Sequence, residues 1–592
     1  MAKSIDDSQL LRLAADPRTN LFAPLGGGTV FGPLVFLAGL YACLAVVMAG
    51  EFGDLDSLWV LRALDLPAAT EVQDWLEPGR NGWGSGTAFQ PPLATWAAAL
   101  AIPKLASESP VSWRLLSVAM TCCTIWAMYL LGRRLGGAAF GACVVIAICG
   151  HPVILTLATS TGPAAMGLLW IALTVWGFLG HLEGPPQLVS MRMLAGSVAW
   201  GLALLTVGPV AVVLFIPMLI HSWLLHEGRG DANVSPLSRL WHLWLGIRTL
   251  AGFLFTALSF SGWWQLMMLT NYGTEFSYAW CTGQIRLYFP QTDPLSFWRE
   301  WLQQNIFLVG FLIAGLYSVA NELRRPTSEH ARRRCQFILL WWLTALIFRG
   351  LFNTPLMPQS GLIEACDGML LLPTALLTAW GARAIVLRQI NIAGEASLIV
   401  ASIGFTVWRV TDRPWLGAIG AVLGLLAISV LPTVVPRFRR GFRQWSERDW
   451  RLVLQFSVVS IAVGHLVAGL MEFPAPSSES RTLTEFRKRV SALPSDSRVA
   501  LVSPNGRIPE SVLFVIRSHF PDSTLVSGSR EGALTRELKT TPQVGELVVE
   551  WTQYEVGIMN ELPADRQAAS IGDPLRFRGR RLMIYKVEPR QL

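Results

Sequence analysis

Long apolar segments recur along most of this 592-residue chain, and they constrain its fold more than any other feature. A helix needs about 20 mostly apolar residues to cross the hydrocarbon core of a bilayer. Runs of suitable length lie near 31–50, 112–131, 137–158, 162–181, 191–207, 209–226, 246–266, 304–322, 334–351, 367–386, 394–411, 416–435 and 452–472. The sequence therefore predicts a polytopic α-helical membrane protein with about thirteen transmembrane helices.

Composition agrees with this interpretation and excludes other classes of protein. Hydrophobic residues make up 52% of the chain and charged residues only 15%, which is too apolar for a soluble protein of this length. The net charge of +8 would suit a nucleic-acid-binding protein, but the arginines lie between apolar runs. That pattern is typical of the cytoplasmic loops of membrane proteins. We expect the lipid bilayer as a partner and no nucleic acid.

The basic loops predict the orientation in the membrane. Residues 1–30 form a polar segment with three basic residues, and we place it in the cytoplasm. The stretch 91–104 is apolar but bounded by prolines and too short to cross roughly 30 Å of hydrocarbon, so we expect a helix lying in the interface. The basic clusters between later spans then fall on the cytoplasmic side: Arg133–Arg134, Arg192, Arg229 and Arg239, Arg324–Arg325, Arg332–Arg334, Arg388, and the arginines of 437–448.

This orientation leaves the longer non-basic loops on the outer face of the inner, or plasma, membrane. The transmembrane domain is predicted over residues 31–472, and its outer loop 51–111 is the candidate active-site loop. Residues 473–592 are predicted to form a small soluble α/β domain on the periplasmic or extracellular side. Segments 498–504 and 546–551 have the pattern of strands, and 511–520 has that of a helix.

Two acidic residues in the outer loop, Asp54 and Asp56, are the main candidates for chemistry. They lie at the start of a predicted amphipathic helix. Acids are ordinary at that position because they cap a helix N-terminus and interact favourably with its dipole. Alternatively, one of the two carboxylates is a general base for an acceptor at the membrane surface. Spacing alone leaves both interpretations open.

The order of local motifs resembles that of GT-C-fold glycosyltransferases that use lipid-linked sugars, in particular the aminoarabinose transferase and protein O-mannosyltransferase group. Around the first outer loop, the resemblance rests on Gly53–Asp56, Asp74–Pro78, Gln90–Leu93 and Arg114–Ser117. Farther along, it rests on Leu131–Gly136, Gly201–Val210, and Tyr272–Phe276 with Arg286. The resemblance runs through residues 30–470 and implies a GT-C fold for the transmembrane domain.

The resemblance also implies an activity. A member of this group would move a sugar from a polyprenyl-phosphate donor to an acceptor, which could be a lipid, a protein or a glycan. Asp54, or Asp56 if the register of the helix differs, would activate the acceptor. Gln90, Arg286 and Arg349 would hold the donor phosphate.

Several charged positions of the group are replaced in this chain. Thr159–Pro163 stands where the group has a second acid, and Gln90 and Val207 each stand for a lysine. Neutral side chains cannot supply the positive charge that lysine offers to a phosphate. Arg349, near the outer end of its span, is the best substitute, although an arginine there can also simply reach for the interface.

These replacements keep a second function open. The chain could be a catalytically degenerate GT-C protein that binds a lipid-linked glycan or scaffolds envelope proteins. Glu275 belongs to the same outer motif as Arg286 and is assigned to substrate binding with it. No set of His, Asp and Glu residues has the spacing of a metal site, so no cofactor is assigned and a divalent metal is unsupported.

Overall fold

A computed structural model describes residues 51–52, 54–66, 75–76, 91–101, 109–182, 190–227, 236–285, 308–351, 362–386, 478–495, 497–503, 508–520, 524–527, 546–552, 566–578 and 580–589, with single residues 39, 301, 305 and 465. The predicted spans near 31–50, 394–411, 416–435 and 452–472 lie outside these residues, apart from Gly39 and His465. The total of about thirteen spans therefore stays a prediction.

Helices form most of the described chain before residue 387. They are α1 (Asp54–Asp65), α2 (Leu93–Ala101), α3 (Pro110–Gly136), α4 (Ala138–Cys149), α5 (Pro152–Thr159), α6 (Ala164–Leu182), α7 (Met191–Val207), α8 (Pro209–Val212), α9 (Phe215–Glu227), α10 (Pro236–Ile285), α11 (Val309–Arg324), α12 (Glu329–Leu351) and α13 (Leu362–Val386). The C-terminal part adds α14 (Ser478–Ser491) and α15 (Glu510–His519).

Three helices are long and apolar enough to cross a membrane within the described residues. They cover Pro110–Gly136, Ala164–His181 and Glu364–Ala384. Local sequence sets the ends of the first of these. Ser109 accepts a hydrogen bond from the backbone N–H of Val111, Pro110 occupies the first turn, and Gly137 ends the helix at φ +90°.

The predicted span 137–158 is broken rather than continuous. Helices α4 and α5 meet at an angle of 70°, and together they are apolar enough for one further crossing. Pro152 cannot continue the backbone hydrogen-bond ladder of α4. The side chain of His151 instead caps α5 by accepting a bond from the N–H of Val153. The apolar run predicts burial correctly but does not show the break.

Glycines let the membrane helices approach one another closely. A Cβ atom at Gly381 of α13 would lie 1.7 Å from the carbonyl oxygen of Phe311, and one at Gly315 of α11 would lie 2.0 Å from that of Leu377. Small residues at such crossings allow backbones to meet, which is a common basis of helix packing in membranes. The pair α11 and α13 depends on these two glycines.

Helices α1 and α2, in the predicted outer loop, are short. Helix α2 has 9 residues and so measures roughly 14 Å, which is too little to span a bilayer. Both helices share a hydrophobic core with the C-terminal domain. Phe52, Leu61 and Trp113 pack there with Phe486, Phe514 and other buried side chains of the C-terminal domain.

A mixed sheet forms the centre of the C-terminal domain. Its strands are β1 (Val499–Ser503), β2 (Thr524–Ser527), β3 (Leu547–Thr552), β4 (Arg566–Ser570), β5 (Leu575–Phe577) and β6 (Arg580–Pro589). The order is β2-β1-β3-β6-β4, with β5 also paired to β6. Strands β1, β2 and β3 are parallel, and β6 runs antiparallel to β3, β4 and β5. Helix α15 packs against α1, and α14 packs against α15.

Candidate active site

Asp56 lies in the first turn of α1 and is bound to the segment between α5 and α6. One carboxylate oxygen accepts a hydrogen bond from the backbone N–H of Thr161 at 2.7 Å and one from the Thr161 hydroxyl at 3.1 Å. The same hydroxyl is 2.8 Å from the Asp56 carbonyl oxygen. The start of α1 is therefore fixed to the segment that joins the C-terminal end of α5 to the N-terminal end of α6. Sequence reasoning noted only that the segment 159–163 stands where the resembling group has an acid, and it assigned Thr161 no role.

Arg114 supports the same region from α3. Its side chain is 3% exposed, and its Nε donates a hydrogen bond of 2.8 Å to the carbonyl oxygen of Thr159. Its guanidinium carbon lies 4.6 Å from the ring centroid of Phe52. Arg114 also interacts electrostatically with Asp56. A buried positive charge thus lies beside the candidate base.

The surroundings of Asp56 act on its proton affinity in opposite directions. Burial raises the pKa of the Asp56 carboxyl above its usual value, while the hydrogen bonds from Thr161 and the charge of Arg114 lower that pKa in part. Loss of hydration disfavours the charged carboxylate, and donors and cations favour it. A carboxyl group with a raised pKa is a better proton acceptor than an exposed aspartate once it is ionised.

Arg349 lies in the last turn of α12 and forms an ion pair with Asp367 near the start of α13. The Arg349 Nε donates to one oxygen of Asp367, and a second guanidinium nitrogen lies 3.5 Å from the other oxygen. Arg349 is 8% exposed. The prediction named Arg349 but not this partner.

Glu364 connects the two groups of charges. It precedes Asp367 by one helical turn on α13, and it interacts electrostatically with Asp367, Asp56 and Arg349. The N-terminal ends of α1 and α13 and the C-terminal end of α12 therefore bring together three carboxylates and the guanidinium of Arg349. Acids are ordinary near a membrane interface, and sequence alone assigned Glu364 and Asp367 no role.

The other predicted site residues lie wholly or partly outside the described atoms. Asp54 is the first residue of α1. Glu275 lies two residues after Gly273, which breaks α10 with φ +51°. The side chains of both are outside the description, as are Gln90 and Arg286 entirely. Their assignments stay predictions.

A small cavity adjoins Thr161 on the side of α2 and α3. It has a volume of about 20 Å³ and is lined by apolar residues and a few polar ones, including Trp59, Trp113, Ser117, Thr161 and Gly162. Such a volume holds about one water molecule and is too small for a sugar. Among the described residues, no group of three or more His, Cys, Asp and Glu side chains is arranged to hold a metal ion.

Comparisons with known proteins agree with this architecture. Residues 89–256 match the family model of dolichyl-phosphate-mannose-protein mannosyltransferases. The crystal structure of ArnT from Cupriavidus metallidurans bound to undecaprenyl phosphate is similar over 94% of this chain and 98% of its own, with a TM-score of 0.60 and 14% identity. This protein has the GT-C fold.

The apo structure of the same ArnT gives a similar result for the GT-C fold of this chain. It covers 94% of this chain and 97% of its own, with a TM-score of 0.56 and 13% identity. No curated protein sequence matches the chain significantly. Residues 89–256 are thus similar to the mannosyltransferase family, and the chain shares its fold with ArnT. The fold predicted from the motifs of residues 30–470 is confirmed.

Proposed function

We propose that this GT-C protein transfers a sugar from a polyprenyl-phosphate donor to an acceptor at the outer face of the membrane. The observation that supports the proposal is a partly buried carboxylate, Asp56, held by Thr161 and close to the charge of Arg114 in a GT-C fold. A similar solved structure is that of ArnT bound to undecaprenyl phosphate, which supports a lipid-linked donor for this chain. The acceptor is a lipid, a protein or a glycan.

The proposed reaction is a single displacement with Asp56 as general base. A carboxylate oxygen of Asp56 takes the proton from an acceptor hydroxyl. At the same time, the oxygen of that hydroxyl forms a bond to the anomeric carbon of the sugar. The bond from this carbon to the phosphate oxygen breaks, and its electron pair leaves with the polyprenyl phosphate. Attack opposite the leaving group inverts the configuration of the anomeric carbon. Asp54, two residues before Asp56 on α1, is the alternative base.

Charge on the leaving phosphate requires a cation nearby. Arg349 is the proposed partner, with Arg286 and Gln90 in supporting roles and Glu275 beside them. The guanidinium of Arg349 already pairs with Asp367, so the phosphate would share or exchange this partner. Arginine can hold a carboxylate and a phosphate oxygen at once because its donors form a planar fork.

One observation favours the second candidate function, which is binding without transfer. The proposed base is already bound within the protein, since the Asp56 carboxylate accepts two hydrogen bonds from Thr161. A protein that only binds a lipid-linked glycan needs no free base. The experiment below separates the two functions.

The test uses purified full-length protein in lipid nanodiscs and a radiolabelled mixture of polyprenyl-phosphate sugars. Binding of the label and its transfer to extracted membrane acceptors are both measured. We expect Asp56→Asn to keep donor binding and to lower transfer by at least about 100-fold, the usual contribution of a general base. Asp573→Asn, in an exposed turn of the C-terminal domain, is the matched control and should leave transfer unchanged.

Two outcomes would contradict the transferase. Full transfer by the double variant Asp54→Asn with Asp56→Asn would remove the proposed base. Donor binding by the parent without transfer of any label would favour the binding protein.

A further inference from the structure

The C-terminal domain makes a charged contact with the residue that begins the active-site loop. Arg487 of α14 donates from Nε to one carboxylate oxygen of Glu51 at 2.7 Å and from a terminal nitrogen to the other oxygen at 2.9 Å. The two residues are 436 positions apart in the chain. The side chain of Arg487 is 20% exposed and that of Glu51 is 8% exposed. A two-pronged contact of this kind fixes direction as well as distance.

A hydrogen bond and an aromatic contact strengthen this junction. The backbone N–H of Glu51 donates to the hydroxyl of Ser480 at 2.9 Å. The next residue, Phe52, is 2% exposed, and its ring centroid lies 5.0 Å from that of Phe514 on α15. Arg487 also covers the ring of Phe514 at 5.1 Å. Together these contacts join α14 and α15 to the start of the loop.

The junction leads directly to the candidate base. Phe52 also contacts the Arg114 guanidinium, and a terminal nitrogen of Arg114 lies 3.5 Å from the Glu51 carbonyl oxygen. Arg114 then binds the carbonyl of Thr159, two residues before the Thr161 that holds Asp56. Only one residue separates Phe52 from the first residue of α1.

We propose that Glu51 and Arg487 are positioning residues, which clasp the C-terminal domain to the loop and hold α1 so that Asp56 meets Thr161 and Arg114. The catalytic meaning of this clasp rests on the proposed function, but its effect on α1 does not. A C-terminal domain that merely docks on the membrane domain would leave α1 ordered by its own packing. The clasp instead makes the order of α1 depend on a residue of α14.

Hydrogen–deuterium exchange of the full-length protein in nanodiscs measures that dependence. We expect Arg487→Ala to speed exchange of the α1 amides by about tenfold, because local opening sets the exchange rate. Glu51→Gln should act similarly, and the double variant should add little because both changes remove the same contact. Arg487→Lys keeps the positive charge but cannot make both hydrogen bonds to Glu51. The α1 amides should therefore exchange more slowly in Arg487→Lys than in Arg487→Ala.

Arg578→Ala is the matched control. Arg578 pairs with Glu479 at 3.1 Å at the exposed surface of the same domain, and its removal should not change exchange in α1. Peptides from β3 and β6 report whether the C-terminal domain stays folded. If Arg487→Ala also speeds exchange in β3 and β6, it has unfolded the C-terminal domain. Exchange of α1 in the milder variants Arg487→Lys and Glu51→Gln then tests the clasp.

Unchanged exchange of α1 in a variant whose sheet stays protected overturns the clasp. Equal effects of Arg487→Ala and Arg578→Ala overturn it too. In the transfer assay, the clasp predicts a lower kcat with the KM for the donor unchanged, and partial rescue of kcat by Arg487→Lys. A parent without transfer would reject the proposed function, and the exchange result would still decide the clasp.

Discussion

Asp56 accepts hydrogen bonds from both the backbone N–H and the hydroxyl of Thr161, a residue 105 positions later, at 2.7 and 3.1 Å. The second of these bonds belongs to the side chain, so it can be removed without disturbing the backbone. Thr161 lies in the segment 159–163, where the motif resemblance predicts an acid in the transferase group. A neutral donor there favours the ionised form of Asp56, which is the form a base needs.

Replacing Thr161 by Val should shift the pH dependence of transfer. The side-chain bond lowers the pKa of Asp56, so its loss raises that pKa and moves the acidic limb of the rate profile to higher pH. Stability should fall by about 1 kcal/mol for the lost hydrogen bond. Thr156→Val is the control, because the exposed Thr156 hydroxyl binds only the Pro152 carbonyl of its own helix in the described contacts. An unmoved acidic limb would separate Asp56 from the rate.

Replacing Asp56 by Asn should change how stability depends on pH. Because burial raises the pKa of Asp56 in the folded protein, the folded state holds this proton over a range in which the unfolded chain, with a pKa of about 3.9, has lost it. The stabilising contribution of Asp56 is therefore complete at low pH and is lost as pH rises through the raised pKa. The neutral Asn side chain does not titrate. We therefore expect the difference between the Tm of Asp56→Asn and that of the parent to be more positive at pH 7.5 than at pH 4.

Thermal unfolding in detergent at a series of pH values measures this difference. Asp573→Asn, at an exposed bend, is the control for the substitution itself. A relative Tm of Asp56→Asn that falls with rising pH would mean that the ionised form of Asp56 is favoured by folding.

The ion pair of Arg349 predicts opposite effects for its two members. If Arg349 holds the donor phosphate, Asp367→Asn removes the carboxylate that competes with the phosphate for the Arg349 guanidinium. Binding of polyprenyl phosphate should then tighten by about tenfold, the effect of one charge-assisted hydrogen bond. Arg349→Gln should weaken binding by a similar factor. Scintillation binding to nanodiscs gives both values.

A pair at the opposite end of the same helix provides the control. Glu329 and Arg333 are 3.2 Å apart near the predicted cytoplasmic end of α12. Glu329→Gln should leave binding unchanged. Weaker binding by Asp367→Asn would show that the aspartate assists the phosphate rather than competing with it.

A methyl group at Gly381 should force α11 and α13 apart. The added Cβ would overlap the carbonyl oxygen of Phe311 at 1.7 Å, and overpacking of this kind costs about 1–3 kcal/mol or more. Gly262→Ala is the control, since its Cβ would meet only Leu258 at 3.6 Å. We expect a lower Tm for Gly381→Ala alone. Equal Tm values would mean that the two helices can separate without loss.

Much of the membrane domain could be predicted from sequence because its signal is local. The run 191–207 corresponds to α7, and 162–181 to α6 within two residues at its start. The length of an apolar run decides whether a helix can cross the bilayer, and no distant residue changes that. The break between α4 and α5 was missed because its cause, a proline within an apolar run, also occurs inside continuous helices such as α13 at Pro373.

The candidate site was predictable only in part. Sequence named Asp56 as an acid of the first predicted outer loop and Arg349 as an arginine near the predicted outer end of an apolar span. It did not identify their partners Thr161 and Asp367, because ordinary polar residues near a helix end carry no distinguishing pattern. Arg114 was noted as part of a motif, and its contact with Thr159 spans 45 positions.

The sequence by itself determined that the chain is a membrane protein of the GT-C type, since hydrophobic length and the order of local motifs are properties of short segments. Only the tertiary structure decided which groups surround Asp56 and that Arg487 of the C-terminal domain pairs with Glu51. Those contacts join residues up to 436 positions apart. The distance between such residues is set by the packing of whole helices against the sheet domain, which no local pattern encodes.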